Sequence, residues 1–167
     1  MDQFQGFVVT RSYCRWKEDS GRRETWEECV DRYYDYFEGR FPEIIGTDWD
    51  EIRVSTLDRE VFPSMRALMT AGDAAEVDDT CLYNCSYLPI NTIRSFSDVL
   101  YILCCGTGVG FSCEKQEISQ LPTIPSIERD EKLTIEVPDS RRGWADSFGE
   151  LLSSLYGGYH PTWDTSN

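Results

Sequence analysis

Seven cysteines hold most of the reactive side-chain chemistry of this 167-residue chain: Cys14, Cys29, Cys81, Cys85, Cys104, Cys105 and Cys113. A thiol can pack as a small apolar group, bind a metal as thiolate, or exchange electrons with a second sulfur. Cys81-x3-Cys85 loosely meets zinc-ligand spacing, with Cys104, Cys105 and Cys113 as further candidates. Adjacent cysteines rarely both hold one ion, and the single histidine, His160, is remote in sequence. Packing, zinc and redox use therefore all stay open at this level. An odd cysteine count and a start, MDQFQGF, without a basic segment point to reduced thiols in the cytoplasm rather than a disulfide framework. The run Gly106-Thr107-Gly108-Val109-Gly110 could let backbone approach a ligand closely. It is not a dinucleotide fingerprint, because the order is helix, glycines and then a β-like run, whereas that fold needs strand, glycines and then helix.

The elements that would position these residues follow from periodicity. Residues 1–12 read as a short strand or extended arm. Trp26, Cys29, Val30, Tyr33, Tyr34 and Phe37 fall on one face of a helix from Glu24 to about Gly39, with Glu24, Glu27 and Glu28 early and Arg40 late, as the helix dipole favours. Residues 41–56 read as loop. A second helix is expected over Val61–Ala71, with Pro63 in its first turn, Met65, Leu68 and Met69 inward and Gly72 ending it. A polar linker, Gly72–Thr80, precedes an extended Cys81–Pro89. Ser97 or Asp98 caps a helix over Val99–Cys105 that Gly106 ends, and Val109–Cys113 is β-like. Ile118–Ile127 is loop and Lys132–Val137 alternates as a strand. Asp139 caps a helix from Ser140 to Tyr156, burying Trp144, Phe148, Leu151, Leu152 and Leu155 and stopped by Gly157-Gly158. The tail YHPTWDTSN shows neither helical nor strand period.

Composition narrows the partners. Thirty acidic against sixteen basic side chains leave a net charge of −14, so a nucleic-acid partner is disfavoured. The longest apolar run, Val99–Cys105, is far short of the roughly 20 residues of a membrane span, so no membrane partner is expected. A small phosphorylated ligand is compatible, since a few backbone amides can hold it locally. With 40% hydrophobic residues the chain can bury a core.

Six motifs, in order, resemble the N-terminal part of ribonucleotide reductases: RSYCRW at 11–16, GRRETWEECVDR at 21–32, PSMRALMTAG at 63–72, NCSYLPI at 84–90, GTGVGFS at 106–112 and VPDSRRGWADSFGELL at 137–152. The similarity is greatest to the adenosylcobalamin-dependent (class II) ribonucleoside-triphosphate reductases; GRRETW and the Trp144 motif favour that class over the oxygen-dependent class I, whose large subunit is the alternative. The resemblance implies an α/β fold (an α+β fragment): a mainly helical region over 1–75, then, over 76–167, the first strands and helices of a ten-stranded α/β barrel. It implies reduction of a ribonucleoside triphosphate or diphosphate to the 2′-deoxyribonucleotide by radical chemistry. Cys85 then matches one of the two redox-active cysteines, which protonates the leaving hydroxyl and gives up electrons as a disulfide forms. Asn84 matches a substrate-contacting position. Ser64 matches a hydroxyl that touches the nucleotide, with a helix N-terminal hydroxyl as its plainer role. Gly108 matches a glycine whose backbone approaches the substrate, with a turn glycine as its plainer role. Cys81, Cys104, Cys105 and Cys113 match no functional position and are assigned to packing.

The resemblance further implies adenosylcobalamin as cofactor, most of its site outside this chain, and a thioredoxin-like or other dithiol reductant. The family's radical-bearing cysteine, second redox cysteine and phosphate loop match nothing before Asn167. The expectation is thus an N-terminal piece, from a split gene, an intein-interrupted gene or a truncation, that needs a complementing C-terminal reductase polypeptide and is inactive alone. The short interval from Cys85 to Gly106 leaves no room for the insertion that builds the effector site of monomeric members, so allosteric control is not expected. The reading from another class is a non-catalytic module holding zinc through Cys81, Cys85, Cys104 and Cys113.

Overall fold

The computed structural model describes residues 2–44, 48–126 and 133–166, and the chain forms two compact units that part between Tyr83 and Asn84. The first unit is helical. Its opening element is α1 (Gln3–Ser12), not a strand or arm. Phe7, Val8 and Val9 favour strand locally, but Asp2 and Gln5 form a capping box, the Asp2 carboxylate accepting from the Gln5 N–H at 2.7 Å and the Gln5 amide oxygen from the Asp2 N–H at 3.1 Å. A small antiparallel hairpin, β1 (Trp16–Lys17) with β2 (Arg22–Arg23), leads into α2 (Trp26–Arg40).

Helix α2 forms as its sequence dictates. Thr25 caps it with Glu28 in a reciprocal box, and Trp26, Cys29, Val30 and Tyr34 are buried together with Cys14 and Leu68. The Trp26 indole donates to the Leu57 carbonyl at 3.1 Å, fastening α2 to α3 (Trp49–Leu57). That helix lies where the sequence reads as loop: Asp48 caps it, its carboxylate accepting from the Glu51 N–H, and only Thr56 is buried along it, so no apolar stripe announces it.

The second expected helix is shorter than its pattern. α4 (Met65–Thr70) starts after Ser64, leaving Pro63 before the cap, and it buries Ala67, Leu68 and Thr70 while Met65 is exposed and Met69 half-buried. Gly72, at φ +91°, turns the chain into α5 (Asp73–Val77), and a 3₁₀ turn (Asp79–Leu82) follows. The expected polar linker is therefore mostly helical, with Ala75 and Cys81 packed beside Tyr36 and Ala71. Cys81 and Leu82 belong to that turn rather than to the strand that follows.

The second unit holds two parallel strand pairs, each joined through a helix, as parallel strands require a long crossover. β3 (Cys85–Pro89) connects through α6 (Ile93–Cys104) to β4 (Gly108–Ser112). Helix α6 begins earlier than its apolar run, because Thr92 and Ser95 form its capping box rather than Ser97 or Asp98. After a short α7 (Lys115–Ile118), β5 (Thr134–Glu136) connects through α8 (Arg141–Tyr156) to β6 (Thr162–Asp164). Lys132, where a strand start is expected, and residues 127–131 lie outside the described residues.

Ser140, not Asp139, caps α8, its hydroxyl accepting from the Gly143 N–H at 2.9 Å. The side of α8 expected to be fully buried is only half-buried at Phe148, Leu151, Leu152 and Leu155, and Trp144 is exposed and edge-on to Trp163. Small residues carry the close approaches instead. The Ser97 hydroxyl donates to the Ala145 carbonyl at 2.6 Å, and a Cβ on Gly149 would press on Ser97 at 3.2 Å. A Cβ on Gly143 would overlap the Pro138 carbonyl.

Candidate functional site

The parallel pair β3–β4 places the candidate residues of the second unit side by side. Its register sets Cys85 against Gly108, Ser86 against Val109, Tyr87 against Gly110 and Leu88 against Phe111. Alternation then gives the pair two faces. One carries Leu88 and Phe111, and Phe111 shares an apolar cavity of about 280 Å³ with Val99, Leu100 and Leu103 of α6 and with Phe148. The other carries Cys85 and Tyr87, both exposed, each facing a glycine on the neighbouring strand.

Gly108 does a specific job there. A Cβ at this position would lie 3.9 Å from the Cys85 sulfur and 3.5 Å from the Asn84 carbonyl oxygen. Those are ordinary contacts, so the fold itself tolerates a side chain; what glycine keeps is clear space beside the thiol. The chain reaches this point through Gly106, whose φ of +83° turns it off the end of α6, and Thr107, which is 1% exposed. The Gly108 N–H then donates to the Asn84 carbonyl at 2.9 Å, which fixes the register at the thiol end of the ladder. The Ser86 hydroxyl donates to the Gly108 carbonyl at 3.3 Å, holding the same strand from the opposite face.

Cys85 and the Asn84 carboxamide are exposed, and neither side chain takes a hydrogen-bond partner among the described residues. A thiol so placed can meet an incoming ligand or a second sulfur without first breaking a protein contact. Asn84, Cys85 and Gly108 are thus brought together. Ser64 belongs to the first unit, where it is exposed and caps α4, its hydroxyl accepting from the Ala67 N–H at 3.4 Å. Sequence reading singled out Cys85 but not Tyr87, which shares its exposed face; the period of two along β3 was the available signal.

The other cysteines divide by burial. Cys14, Cys29, Cys81 and Cys105 are buried, as packing requires, but Cys104 and Cys113 are exposed, against the expectation that both pack. Both stand at element ends, Cys104 closing α6 and Cys113 following β4. Among the described residues no three His, Cys, Asp or Glu side chains gather to hold a metal ion, so a zinc site on Cys81, Cys85, Cys104 and Cys113 has no ligand set. No helix among them is long and apolar enough to cross a membrane.

With this geometry in hand, the class of the chain is an α/β fold that resembles the N-terminal part of a ribonucleotide reductase: residues 1–69 match the family described as the ribonucleotide reductase alpha domain. That stretch contains Ser64 and ends before Asn84, Cys85 and Gly108. The particular likeness is to the crystal structure of a B-12-dependent (class II) ribonucleotide reductase, at a TM-score of 0.82 and 19% sequence identity, over 96% of this chain and 32% of that one. The fold expected from the six motifs is therefore present, and the chain spans about a third of the length of the solved structure it matches. No curated protein sequence matches the chain significantly.

The solved structure that this chain resembles is B-12-dependent, and no chemical step is assigned here through a cobalamin.

Proposed function

We propose that this chain supplies one wall of the substrate site of a ribonucleotide reductase, with Cys85 as one of the redox-active cysteine pair. The observation that carries the reading is the exposed Cys85 thiol facing side-chain-free Gly108 across a parallel ladder, in a fold shared with a class II reductase. In this role the Cys85 thiol gives its proton to the 2′-hydroxyl, which leaves as water. Its sulfur then bonds to a second cysteine sulfur as that thiol gives up its own proton, and the two electrons released, together with that proton, complete reduction at the 2′-carbon as a new C–H bond. An external dithiol, thioredoxin-like or otherwise, returns the disulfide to two thiols. Asn84 and the Gly108 backbone contact the ribose, and Ser64 contacts the nucleotide.

The second sulfur, the radical-bearing cysteine and the adenosylcobalamin seat are assigned to a complementing reductase polypeptide. The open sheet supports such a partner: among the described residues β3 and β4 pair only with each other, which leaves both outer edges free. The substrate is a ribonucleoside triphosphate, or a diphosphate, and the product feeds DNA synthesis.

The test mixes the chain with a polypeptide carrying the family's remaining motifs, a nucleoside triphosphate, adenosylcobalamin and a dithiol. Deoxynucleotide should form with wild type and fall at least a hundredfold with Cys85→Ser. Full turnover by Cys85→Ser would remove the assigned role. Product formation without adenosylcobalamin, but with a separate radical-generating subunit, would move the chain to class I.

A further inference from the structure

The open face of the β3–β4 ladder holds one large side chain to which the proposed reaction gives no role. Tyr87 stands two residues after Cys85, and side chains on a strand repeat their facing every two residues, so thiol and phenol ring share a face about 7 Å apart along β3. Tyr87 is 68% exposed and takes no ring or hydrogen-bond partner among the described residues. Its neighbour across the ladder is Gly110, where a Cβ would lie 3.9 Å from the Tyr87 Cδ2 atom and 3.7 Å from the Ser86 carbonyl oxygen. The ring therefore borders the space that a side chain on β4 would take.

Two properties of this face select what can lie on it. Neither strand carries a charged side chain, β3 being CSYLP and β4 GVGFS, so nothing on them would hold a polyphosphate by charge. Gly108 and Gly110 leave β4 without side chains on this face, so a flat ligand can lie against its backbone with Cys85 at one end and Tyr87 at the other.

We propose that Tyr87 is the base-binding residue of the substrate wall, its ring stacking on the nucleobase while Cys85 meets the ribose. This rests on the reading of Cys85 as the redox cysteine of that wall. Of the two ends of a nucleotide, the base is the planar and uncharged one, and the ribose carbon that carries it adjoins the 2′-carbon that Cys85 must reach. The phosphates leave from the 5′-carbon, on the far side of the sugar. The base is thus the end that suits a charge-free aromatic face one strand repeat from the thiol. Stacking on a phenol ring reads no hydrogen-bond pattern, so the same platform takes purines and pyrimidines.

The ring rather than the hydroxyl carries this role, so Tyr87→Phe keeps the platform and Tyr87→Ala removes it. A stack made equally in the ground and transition states lowers KM without raising kcat, so its loss shows in KM alone. Because Tyr87 is exposed, neither substitution opens a packed core, and the melting temperature of the chain should stay where it is.

The experiment uses the full chain together with the complementing reductase polypeptide, and reads equilibrium binding of ATP, GTP, CTP and UTP to the reduced complex alongside steady-state turnover. Tyr87→Ala should weaken binding and raise KM about tenfold for every one of these nucleotides, inside the roughly 5- to 150-fold span that loss of one base–aromatic stack brings, with kcat within about twofold. Tyr87→Phe should match wild type. Irradiation with 8-azido-ATP should leave an adenine adduct on the Tyr87 peptide, competed by ATP. Wild-type binding and KM in Tyr87→Ala would overturn the inference, and so would equal losses in Tyr87→Phe and Tyr87→Ala, which would assign the contact to the hydroxyl. Cys85→Ser separates this from the redox reading: it should keep nucleotide binding and lose turnover. Full turnover by Cys85→Ser beside weakened binding by Tyr87→Ala would remove the redox role and leave the base contact standing. No saturable binding by the wild-type complex would overturn both.

Discussion

Replacing Arg32 by alanine should be the most damaging single change in the first unit, and the reason is countable. The Arg32 guanidinium grips Glu24 with two bonds, Nε to Oε1 at 2.8 Å and Nη2 to Oε2 at 3.0 Å. It also donates to the carbonyls of Ala71 at 2.8 Å, Tyr13 at 3.2 Å and Leu68 at 3.2 Å. One side chain therefore joins α2, the segment before β1, and α4. The pair is largely out of solvent, at 16% exposure for the Arg32 side chain and 9% for Glu24, so surface screening does not discount it. Removing one partner of a buried pair leaves the other charge uncompensated, which costs about 3–5 kcal/mol. Glu24 keeps one bond, accepting the Arg15 N–H at 2.9 Å, which places the expected loss near the lower bound, about 3 kcal/mol. Urea unfolding followed by tryptophan fluorescence, with Trp26 buried in this unit, should show the midpoint falling by about 1–3 M, given slopes of roughly 1–3 kcal/mol/M. Glu24→Gln combined with Arg32→Met should cost less than the sum of the singles by about 1 kcal/mol or more, because the double variant strands no charge. A midpoint shift below about 0.5 M for Arg32→Ala, or strict additivity in the double variant, would refute the account.

Two glycines should respond oppositely to alanine. Gly108→Ala meets only ordinary contacts, so stability should move by less than about 0.5 kcal/mol, while alkylation of native Cys85 by iodoacetamide slows several-fold because the new methyl stands beside the sulfur. Gly143→Ala drives a methyl into the Pro138 carbonyl and should cost about 1–3 kcal/mol or more by thermal melting. Acid should loosen the entry to α2. Hydrogen bonds from Arg22, then from Lys17 and the Thr25 N–H, hold the Glu28 carboxyl well below the usual carboxylate range. A depressed folded-state value means its stabilisation is complete above the unfolded value of about 4.3 and is lost as pH falls below it. Arg22→Ala with Lys17→Ala should flatten the stability profile below that pH and leave its shape near pH 7 unchanged. Native thiol titration should show fast reaction at Cys85, Cys104 and Cys113, with Cys14, Cys29, Cys81 and Cys105 released only on unfolding; fast native reaction at Cys105 would contradict its burial.

What could be read from sequence followed from how local each determinant is. Helix α2 was legible because its apolar spacing, its Thr25–Glu28 box and its buried face agree. Helix α1 was not, since Phe7-Val8-Val9-Thr10 favours strand and the decisive signal is one capping box at Asp2, on a helix that buries no residue to mark a face. Helix α3 was missed because Thr56 is the one residue buried along it, so no apolar stripe marks its face, and strand β6 is defined by its pairing with β5 rather than by any pattern in TWD. The pattern also overstated burial along α8, where contact runs through Ala145, Ser147 and Gly149 rather than through the large side chains.

The candidate site splits along the same line. NCSYLPI and GTGVGFS name its residues, and Val109–Cys113 reads as β-like, as β4 bears out, but only the ladder tells which residue faces which. That register decides the chemistry. A slip of one position would set Cys85 against Val109, whose branched side chain would crowd the sulfur, and would send Gly108 out of the pair. The Gly108 N–H bond to the Asn84 carbonyl is what excludes that slip at the thiol end. Asn84 therefore matters through its backbone before its carboxamide does. Asn84→Ala should keep the fold and the Cys85–Gly108 pairing, and should weaken nucleotide binding while leaving the alkylation rate of Cys85 within about twofold, since a carboxamide without protein partners contributes within ±0.5 kcal/mol to stability. A large stability loss in Asn84→Ala would show that the carboxamide is structural and would remove it from the substrate wall.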